Sequence, residues 1–284
     1  MSDKESMGIR QAASLGQGTI DYWEAGTGRP VVFVHGLFLN SGLWRNVAPA
    51  VTAAGYRTIV PDWPFGGHQR PMPVNTPLDP PAVAALILDF LTHLDLHDAI
   101  LVTNDTGGAF SQVALMRDAS RIGGWVITPG DCFEYFFPPQ FKFLETFSKM
   151  PGFTYLLAQT LRVQPFYRLP QVFGLLSKRP ISQQAMSAYL TPMQQNSGIR
   201  RDLGKILRGV NSRHTLAAAE RFAQFEPPVL LAWATEDKVF PIALAERMLQ
   251  LFPNAKLEPI NDSYAFVPED QPRHLSELII DFGR

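Results

Sequence analysis

Residues 99–110 read AILVTNDTGGAF, which places a carboxylate between an apolar run and two glycines. Asp105 comes just after the apolar run, and Thr106 and the glycines follow it. A carboxylate in this position could attack a substrate as a nucleophile, accept a proton as a base, or share a proton with a second carboxylate. It could also do no chemistry and only cap the helix that follows. The surrounding sequence has to separate these possibilities.

Two aspartates that share one proton are the chemistry of aspartic proteases, whose signature is Asp-Thr-Gly. The chain has such a tripeptide at residues 105–107, and strand-like and helical segments alternate around it. A protease of that class needs two of these loops, either in one chain or in a dimer of short all-β chains. The sequence therefore disfavours a protease.

A nucleophile elbow fits the same residues better. It is a sharp turn from a strand into a helix with the pattern small–x–nucleophile–x–small. Residues 103–107, TNDTG, follow this pattern, although Thr103 is slightly large for the first position. The Thr106 N–H would lie at the N terminus of the helix, where it can donate to an oxyanion. We therefore expect Asp105 to be a nucleophile or a base, with helix capping as the alternative.

Other segments supply the partners that such an elbow needs. Residues 32–36, VFVHG, are typical of an apolar strand that ends in His-Gly, and the N–H of Leu37 is the candidate for a second oxyanion donor. Residues 62–67, DWPFGG, indicate a tight glycine turn after the next strand. Asp237 follows a late strand, at the place where an acid that orients a base is expected.

Together these motifs resemble the α/β-hydrolase superfamily, in the branch of haloalkane dehalogenases and epoxide hydrolases that use an aspartate nucleophile. The resemblance runs from about residue 18 to the C terminus. It implies an α/β-hydrolase fold: a mostly parallel eight-stranded sheet with helices on both faces and a helical cap insert. It also implies a hydrolase-like enzyme that needs no metal and no organic cofactor.

One segment departs from the pattern of that branch, in which a histidine follows the last strand in a motif like Asp-x-Gly-His-Phe-Val-x-Glu-x-x-Pro. Residues 261–272, NDSYAFVPEDQP, keep the frame, but Tyr264 and Ala265 replace the Gly-His pair. Without that base, an ester formed on Asp105 would not be hydrolysed, and the enzyme should stall after one turnover. The halide-holding residues of the branch are replaced as well, by Leu37 and Thr106.

Three other side chains could assist in place of the missing histidine. His68 is the best placed histidine, because its loop is expected at the same edge of the sheet as the elbow. His35 belongs to the His-Gly turn, so we expect it to be structural, with an auxiliary role as the alternative. The Tyr264 hydroxyl could lie near the space that Ala265 leaves.

Two further carboxylates are expected to approach Asp105. Asp237 would have faced the missing imidazole, and Asp131 follows the predicted strand at 125–128 after a short turn. Burial and like charge would then raise the pKa of these groups, so that one could stay protonated near neutral pH. The alternatives are an N-cap of the next helix for Asp131 and a turn-stabilising role for Asp237.

The apolar pattern predicts strands at 19–25, 31–35, 57–61, 99–104, 125–128, 229–234 and 256–260. It predicts helices at 46–54, 81–96, 108–117, 242–251 and 274–281. Nearly continuous apolar strands separated by helices predict a parallel sheet that is covered on both faces. We expect the first two strands to pair around a turn at 26–30.

A phenylalanine-rich stretch interrupts this alternation at residues 131–215. We predict that it forms a helical cap over a core made of residues 1–130 and 216–284. An insert at the carboxyl edge of a parallel sheet covers the place where such sheets bind ligands. Because part of its aromatic surface must face the sheet, the cavity beneath it should be apolar.

Composition limits the partners and the location. The 284 residues carry a net charge of −1 and include 46% hydrophobic residues, which indicates a folded chain with no electrostatic footprint for nucleic acid or an anionic membrane. Cys132 is the one cysteine, so neither a disulfide framework nor a Cys-based metal site is expected. The N-terminal residues lack an apolar signal-peptide region, and no apolar run is long enough to span a membrane. We expect a cytoplasmic monomer or homodimer.

Three functional hypotheses follow from these observations. The first is a hydrolase that acts on an apolar small molecule, with esters, lactones and epoxides more plausible than alkyl halides. The second is a cyclase, lyase or isomerase in which the carboxylates only move protons, which the missing base favours. The third is a binding protein whose catalytic set has decayed. A buried carboxylate is costly to keep without a use, which disfavours the third.

Overall fold

The computed structural model of the protein describes residues 5–167 and 169–284. Residues 1–4 of the predicted core and Arg168 of the predicted cap lie outside the described residues. Within the described part, eight strands form one sheet: β1 (Ile9–Leu15), β2 (Gly18–Ala25), β3 (Pro30–Val34), β4 (Arg57–Pro61), β5 (Ala99–Thr103), β6 (Ile122–Ile127), β7 (Val229–Ala234) and β8 (Ala255–Ile260).

The strands lie in the order β1-β2-β4-β3-β5-β6-β7-β8. β2 is antiparallel to both β1 and β4, and all other neighbours are parallel. The predicted pairing of segments 19–25 and 31–35 is wrong, because β3 uses both of its edges for β4 and β5. The predicted eight-stranded, mostly parallel sheet is confirmed.

The α-helices of the described residues are α1 (Ala48–Ala53), α2 (Pro80–His93), α3 (Thr106–Leu115), α4 (Lys142–Phe147), α5 (Phe153–Thr160), α6 (Gln164–Tyr167), α7 (Gln183–Gln195), α8 (Ser197–Gly209), α9 (Ser212–Ala219), α10 (Ile242–Leu251), α11 (Val267–Asp270) and α12 (Pro272–Phe282). α2 packs against α3, and α1 packs against α12. The central strands β5 and β7 are buried along their whole length. This is expected of parallel strands that helices cover on both faces.

Helices α4 to α9 lie between β6 and β7, in the region where the sequence predicts a helical insert. Polar contacts tie this region to the rest of the molecule. Arg45 forms a bidentate ion pair with Glu269, with N···O distances of 2.6 and 2.7 Å. The Tyr189 hydroxyl of α7 donates to the same carboxylate at 2.7 Å. A buried charged group needs such partners, so this network fixes α7 on the core.

The Asp270 carboxylate makes a second set of contacts, which hold the segment that leads into α7. It accepts hydrogen bonds from the Ser177 hydroxyl (2.9 Å), the Lys178 N–H (2.8 Å) and the Arg179 N–H (2.9 Å). Next to these contacts, the Phe266 N–H donates to the carbonyl of Leu176 at 2.6 Å. One edge of the inserted region is therefore anchored through several hydrogen bonds.

Among the described residues, no helix has the length and apolar character needed to cross a membrane.

Candidate active site

The turn between β5 and α3 contains Asp105 in an unusual backbone conformation, with φ 54° and ψ −138°. This region of φ favours glycine, so a non-glycine residue there is strained. The turn is held by its neighbours: the Asp105 N–H donates to the Pro129 carbonyl (2.8 Å), and the Gly108 N–H donates to the Asp105 carbonyl (2.9 Å). The side chain accepts no capping hydrogen bond from α3. A strained, well-supported turn thus presents the carboxyl group.

Two glycines let the backbone approach this carboxyl group. A Cβ on Gly36 would lie 1.9 Å from Asp105 Oδ2, and a Cβ on Gly130 would lie 2.4 Å from the Asp105 carbonyl oxygen. Real Cβ atoms do not approach other heavy atoms so closely. Gly36 was expected from the His-Gly motif, whereas Gly130 was missed, although the sequence does show it directly before Asp131.

The Asp105 carboxyl group is only 9% exposed, and burial raises its pKa to about 7. The backbone N–H groups of Thr106 and Leu37, together with the Thr106 hydroxyl, partly oppose this rise in the pKa of Asp105. The two N–H groups predicted as oxyanion donors therefore act on the carboxyl group of Asp105 itself. They stabilise negative charge on that carboxyl group.

Asp131 lies beside Asp105 and is 1% exposed. Within the described part of the chain, neither of its carboxyl oxygens has a hydrogen-bond partner. Burial, and then the charge of Asp105, raise its pKa well above the usual range. The Thr106 hydroxyl is close enough to lower that pKa slightly, but its geometry falls short of a hydrogen bond. Because no backbone N–H reaches the carboxyl group, Asp131 does not act as the helix cap considered from the sequence.

The two carboxyl oxygens of Asp237 lie in different environments. Its Oδ1 accepts the N–H groups of Val239 (2.7 Å) and Phe240 (3.0 Å), which is the turn-stabilising role considered from the sequence. Its Oδ2 is buried and has no partner among the described residues. Burial raises the pKa of Asp237 to about 7, and the charges of Asp105 and Asp270 add to this rise. Asp237 is therefore within electrostatic range of Asp105.

A cavity lies in front of Asp105. Pockets that bind small molecules are lined mostly by apolar side chains and contain few polar groups. Only three of the lining residues have polar side chains: Asp105, Thr106 and Asp131. The other lining residues are apolar and come from the loop after β3 and from the inserted region: Leu37, Phe38, Phe137, Pro138, Phe141, Phe143, Leu144, Leu157, Leu161, Val172, Phe173 and Leu176.

Ala265 is fully buried and lies next to the elbow. The Asn104 side-chain amide donates to the Ala265 carbonyl (2.8 Å) and to the Thr128 hydroxyl (2.7 Å). This loop is therefore positioned as a catalytic loop would be, without the imidazole. The neighbouring Tyr264 does not line the cavity, because its ring lies against the Lys238 ammonium group at 4.5 Å.

Neither candidate histidine lines the cavity. The Nε2 atom of His35 accepts the Trp63 N–H at 3.0 Å, so His35 shapes the loops as expected of a structural residue. His68 is buried and faces Asp202 of α8, with Nε2 and Oδ2 separated by 3.4 Å. Asp202 was not anticipated, because nothing in the sequence indicates that α8 packs on the His68 loop.

Among the described residues, no group of three or more His, Cys, Asp or Glu side chains is arranged to hold a metal ion. What the site brings together is Asp105, Asp131, Thr106 and the Leu37 N–H at the base of one apolar cavity. Such a set can transfer protons and can stabilise charge on one carboxyl group.

Comparison with known proteins identifies similar chains. A family model described as alpha/beta hydrolase fold matches residues 29–272. Haloalkane dehalogenase 2 of Mycobacterium tuberculosis is 28% identical over 276 residues, which cover 94% of this chain and 92% of that protein. A non-heme chloroperoxidase of Kitasatospora aureofaciens is 29% identical over 272 residues, which cover 92% of this chain and 94% of that protein.

Solved structures show the same fold. Haloalkane dehalogenase DbeA from Bradyrhizobium elkani superposes with a TM-score of 0.79 at 20% identity, covering 97% of both chains. Epoxide hydrolase CorEH superposes with a TM-score of 0.79 at 18% identity, covering 96% of this chain and 98% of that one. At this level of identity, the likeness concerns the fold.

Proposed function

Because the chain belongs to the α/β-hydrolase family and is a hydrolase-like enzyme, we propose that it hydrolyses an apolar small molecule with the carboxyl pair Asp105 and Asp131. One observation carries the proposal: both carboxyl groups lie at the base of an otherwise apolar cavity, and backbone N–H groups favour the ionised form of only one of them.

The unequal surroundings of the two carboxyl groups support unequal roles. Asp105 has a pKa of about 7, and Asp131 has a pKa well above its usual range. The N–H groups of Leu37 and Thr106 favour the ionised form of Asp105, whereas Asp131 has no such donors. Near neutral pH, Asp105 is therefore the base and Asp131 is the acid. Two carboxyl groups whose environments separate their pKa values are a recurrent acid–base arrangement in enzymes.

The position of the N–H donors bears on the substrate class. In acyl transfer, such donors hold the carbonyl oxygen of the substrate. Here the Leu37 and Thr106 N–H groups favour the charge on the Asp105 carboxyl group, so that group would have to move before an ester or a lactone could use them. An epoxide needs no such donors, because its oxygen requires only a proton from an acid. We therefore rank epoxides above esters and lactones.

The proposed reaction needs no histidine. The ionised Asp105 takes a proton from a water molecule, and the water oxygen attacks an epoxide carbon. The carbon–oxygen bond breaks, and the Asp131 carboxyl group protonates the leaving oxygen. Water and epoxide thus give a diol, with Asp105 protonated and Asp131 ionised. The Thr106 hydroxyl, which lies near both carboxyl groups, can return the proton and complete the cycle.

A covalent route is the other possibility for the same residues. Asp105 would attack the epoxide carbon and Asp131 would protonate the oxygen, which leaves an ester on Asp105. Breaking that ester needs a base that activates water, and Ala265 stands where the branch places its histidine. The described geometry thus favours direct attack by water.

The test uses a panel of apolar epoxides, esters and lactones in ¹⁸O-labelled water, with intact-protein mass measured after a single turnover. Direct attack puts ¹⁸O into the diol in the first turnover and leaves the protein mass unchanged. Asp105→Asn should abolish turnover and Asp131→Asn should lower kcat by about 10²- to 10⁴-fold, whereas Glu277→Gln, which changes an exposed carboxylate of α12, should leave it unchanged. Turnover that survives Asp105→Asn contradicts the proposal.

The missing base at position 265 also keeps proton-transfer catalysis, by a cyclase, lyase or isomerase, as a second candidate. The same two carboxyl groups would then move protons within the substrate. This function predicts products that take up deuterium from heavy water but no ¹⁸O. Ligand binding without any turnover across the panel would instead favour the decayed binding protein. The cap at 131–215, a cytoplasmic location and a monomer or homodimer remain proposals.

A further inference from the structure

Exposed apolar side chains are concentrated between residues 147 and 169 of the inserted region. Leu156 is 65% exposed and Met150 is 58% exposed, and both lie in or beside α5. We call the following set the outer patch: Phe147, Met150, Tyr155, Leu156, Val163, Phe166 and Leu169, all of which are at least 42% exposed. Large exposed apolar patches mark interaction sites, and this is the part of the inserted region with the most exposed apolar side chains.

Helix α5 contributes side chains to both the outer patch and the cavity. Tyr155 and Leu156 of α5 face outward, whereas Leu157 and, just after the helix, Leu161 line the cavity. A single helical layer therefore separates the cavity from whatever the outer patch contacts.

The charge of the chain is divided unevenly along the sequence. Residues 131–215 contain eleven Lys and Arg against four Asp and Glu, which is a net charge of +7. The rest of the chain contains fourteen against twenty-two, which is −8. Asp131 and Asp202, two of the four acidic residues, are buried. The whole chain has a net charge of −1, from which no membrane contact was expected, but residues 131–215 are strongly basic.

Several of these cations lie next to the outer patch. The Arg200 guanidinium group is 5.4 Å from the centre of the Tyr155 ring, and Lys149 and Arg208 border the surface depression that contains Met150. In the part of the chain that the structure describes, none of these three cations lies within 4.0 Å of a carboxylate. They are therefore able to pair with anions from outside the chain.

We propose that the outer patch binds to the surface of an anionic lipid bilayer. Apolar and aromatic side chains on one side of a helix, next to Lys and Arg, are the pattern of a segment that lies in the membrane interface. A second copy of the chain fits less well, because pairing two such patches would bring two regions of +7 together. The bilayer would also bring a store of apolar molecules within one helix of the cavity.

The test is co-sedimentation of the full chain with vesicles of phosphatidylcholine alone or with 30% phosphatidylglycerol. We expect binding only to the vesicles that contain phosphatidylglycerol, and weaker binding at high salt. Arg200→Gln and Arg208→Gln should each weaken binding by about fivefold, and Leu156→Ser should also weaken it. Matched controls are Arg273→Gln and Ile9→Ser, which change an exposed cation and an exposed apolar residue outside the inserted region.

Absence of binding to anionic vesicles overturns the proposal, and so does equal loss of binding in the patch variants and in the controls. Light scattering of the chain in solution tests the second copy as occupant. A dimer that Leu156→Ser dissociates, together with no vesicle binding, would assign the patch to self-association and overturn the proposal. Circular dichroism of each variant separates loss of binding from loss of folding. The vesicle measurement involves no turnover, so it is independent of the proposed reaction.

Discussion

Replacing Asp105 by asparagine should make the protein more stable above pH 7 while it removes activity. Burial raises the pKa of this carboxyl group from 3.8 to about 7. The folded chain therefore keeps a proton that the unfolded chain has released, and the free energy of unfolding falls as the pH rises from about 4 to about 7. A difference of about 3 in pKa corresponds to about 4 kcal/mol.

Asparagine has the size of the protonated carboxyl group and keeps one oxygen that can accept the Leu37 and Thr106 N–H groups. It is never ionised, so the variant escapes the cost of a buried negative charge. The stability difference between the variant and the natural protein should therefore be small at and below pH 4. It should approach about 4 kcal/mol in favour of the variant at pH 8.

Urea unfolding of both proteins at several pH values measures this difference, and subtraction cancels the titration of groups that the two proteins share. Glu277→Gln is the control, because it removes the charge of an exposed carboxylate outside the candidate site. A stability difference that is the same at pH 5 and pH 8, or a variant that loses stability at pH 8, would refute the burial argument for Asp105.

Three further predictions concern the site. Asp131→Asn should lower kcat by about 10²- to 10⁴-fold. The rise of activity with pH should stay near pH 7, because burial rather than Asp131 sets the pKa of Asp105. A pH–rate profile measures this rise, and a shift of more than one pH unit would contradict the prediction. Gly36→Ala places a Cβ 1.9 Å from Asp105 Oδ2 and should displace the Leu37 N–H. We expect a loss of about 10²- to 10³-fold in kcat and an unchanged far-ultraviolet circular dichroism spectrum. Full activity would contradict the close approach of Gly36 to Asp105. A reactive alkyl halide should leave an ester on Asp105, and Ala265→His should release it, which intact-protein mass would show. An adduct that persists in this variant would mean that the loop does not point the new imidazole at Asp105.

The sequence predicted the buried elements well. The predicted bounds of β4, β7 and α10 match the structure, because their apolar pattern follows one period over the whole element. β1 was missed because most of its side chains are exposed, so its sequence carries no alternating burial signal. The pairing of β2 with β4 is a non-local choice that no short stretch of sequence records.

The candidate site shows the same division. The Thr103–Gly107 pattern indicated the turn that carries Asp105, since such a turn requires small residues at fixed positions. The partners of His68 and Asp237 were not predictable, because they depend on how α8 and the turn at residues 237–240 pack. The absence of hydrogen bonds to Asp131 likewise depends on the whole surrounding packing.

The anchoring of the inserted region by Asp270 and by the Arg45–Glu269 pair has a consequence for how molecules reach the cavity. Both sets of contacts hold the edge next to α7, whereas α5 has no charged residue and therefore contacts α7 and α8 without an ion pair. Apolar contacts can slide without leaving a buried charge unpaired, so opening should start at α5 and leave the anchored edge in place. A disulfide that locks α5 to α8 should then slow both substrate uptake and product departure, while a lock on the Asp270 side should leave both rates unchanged.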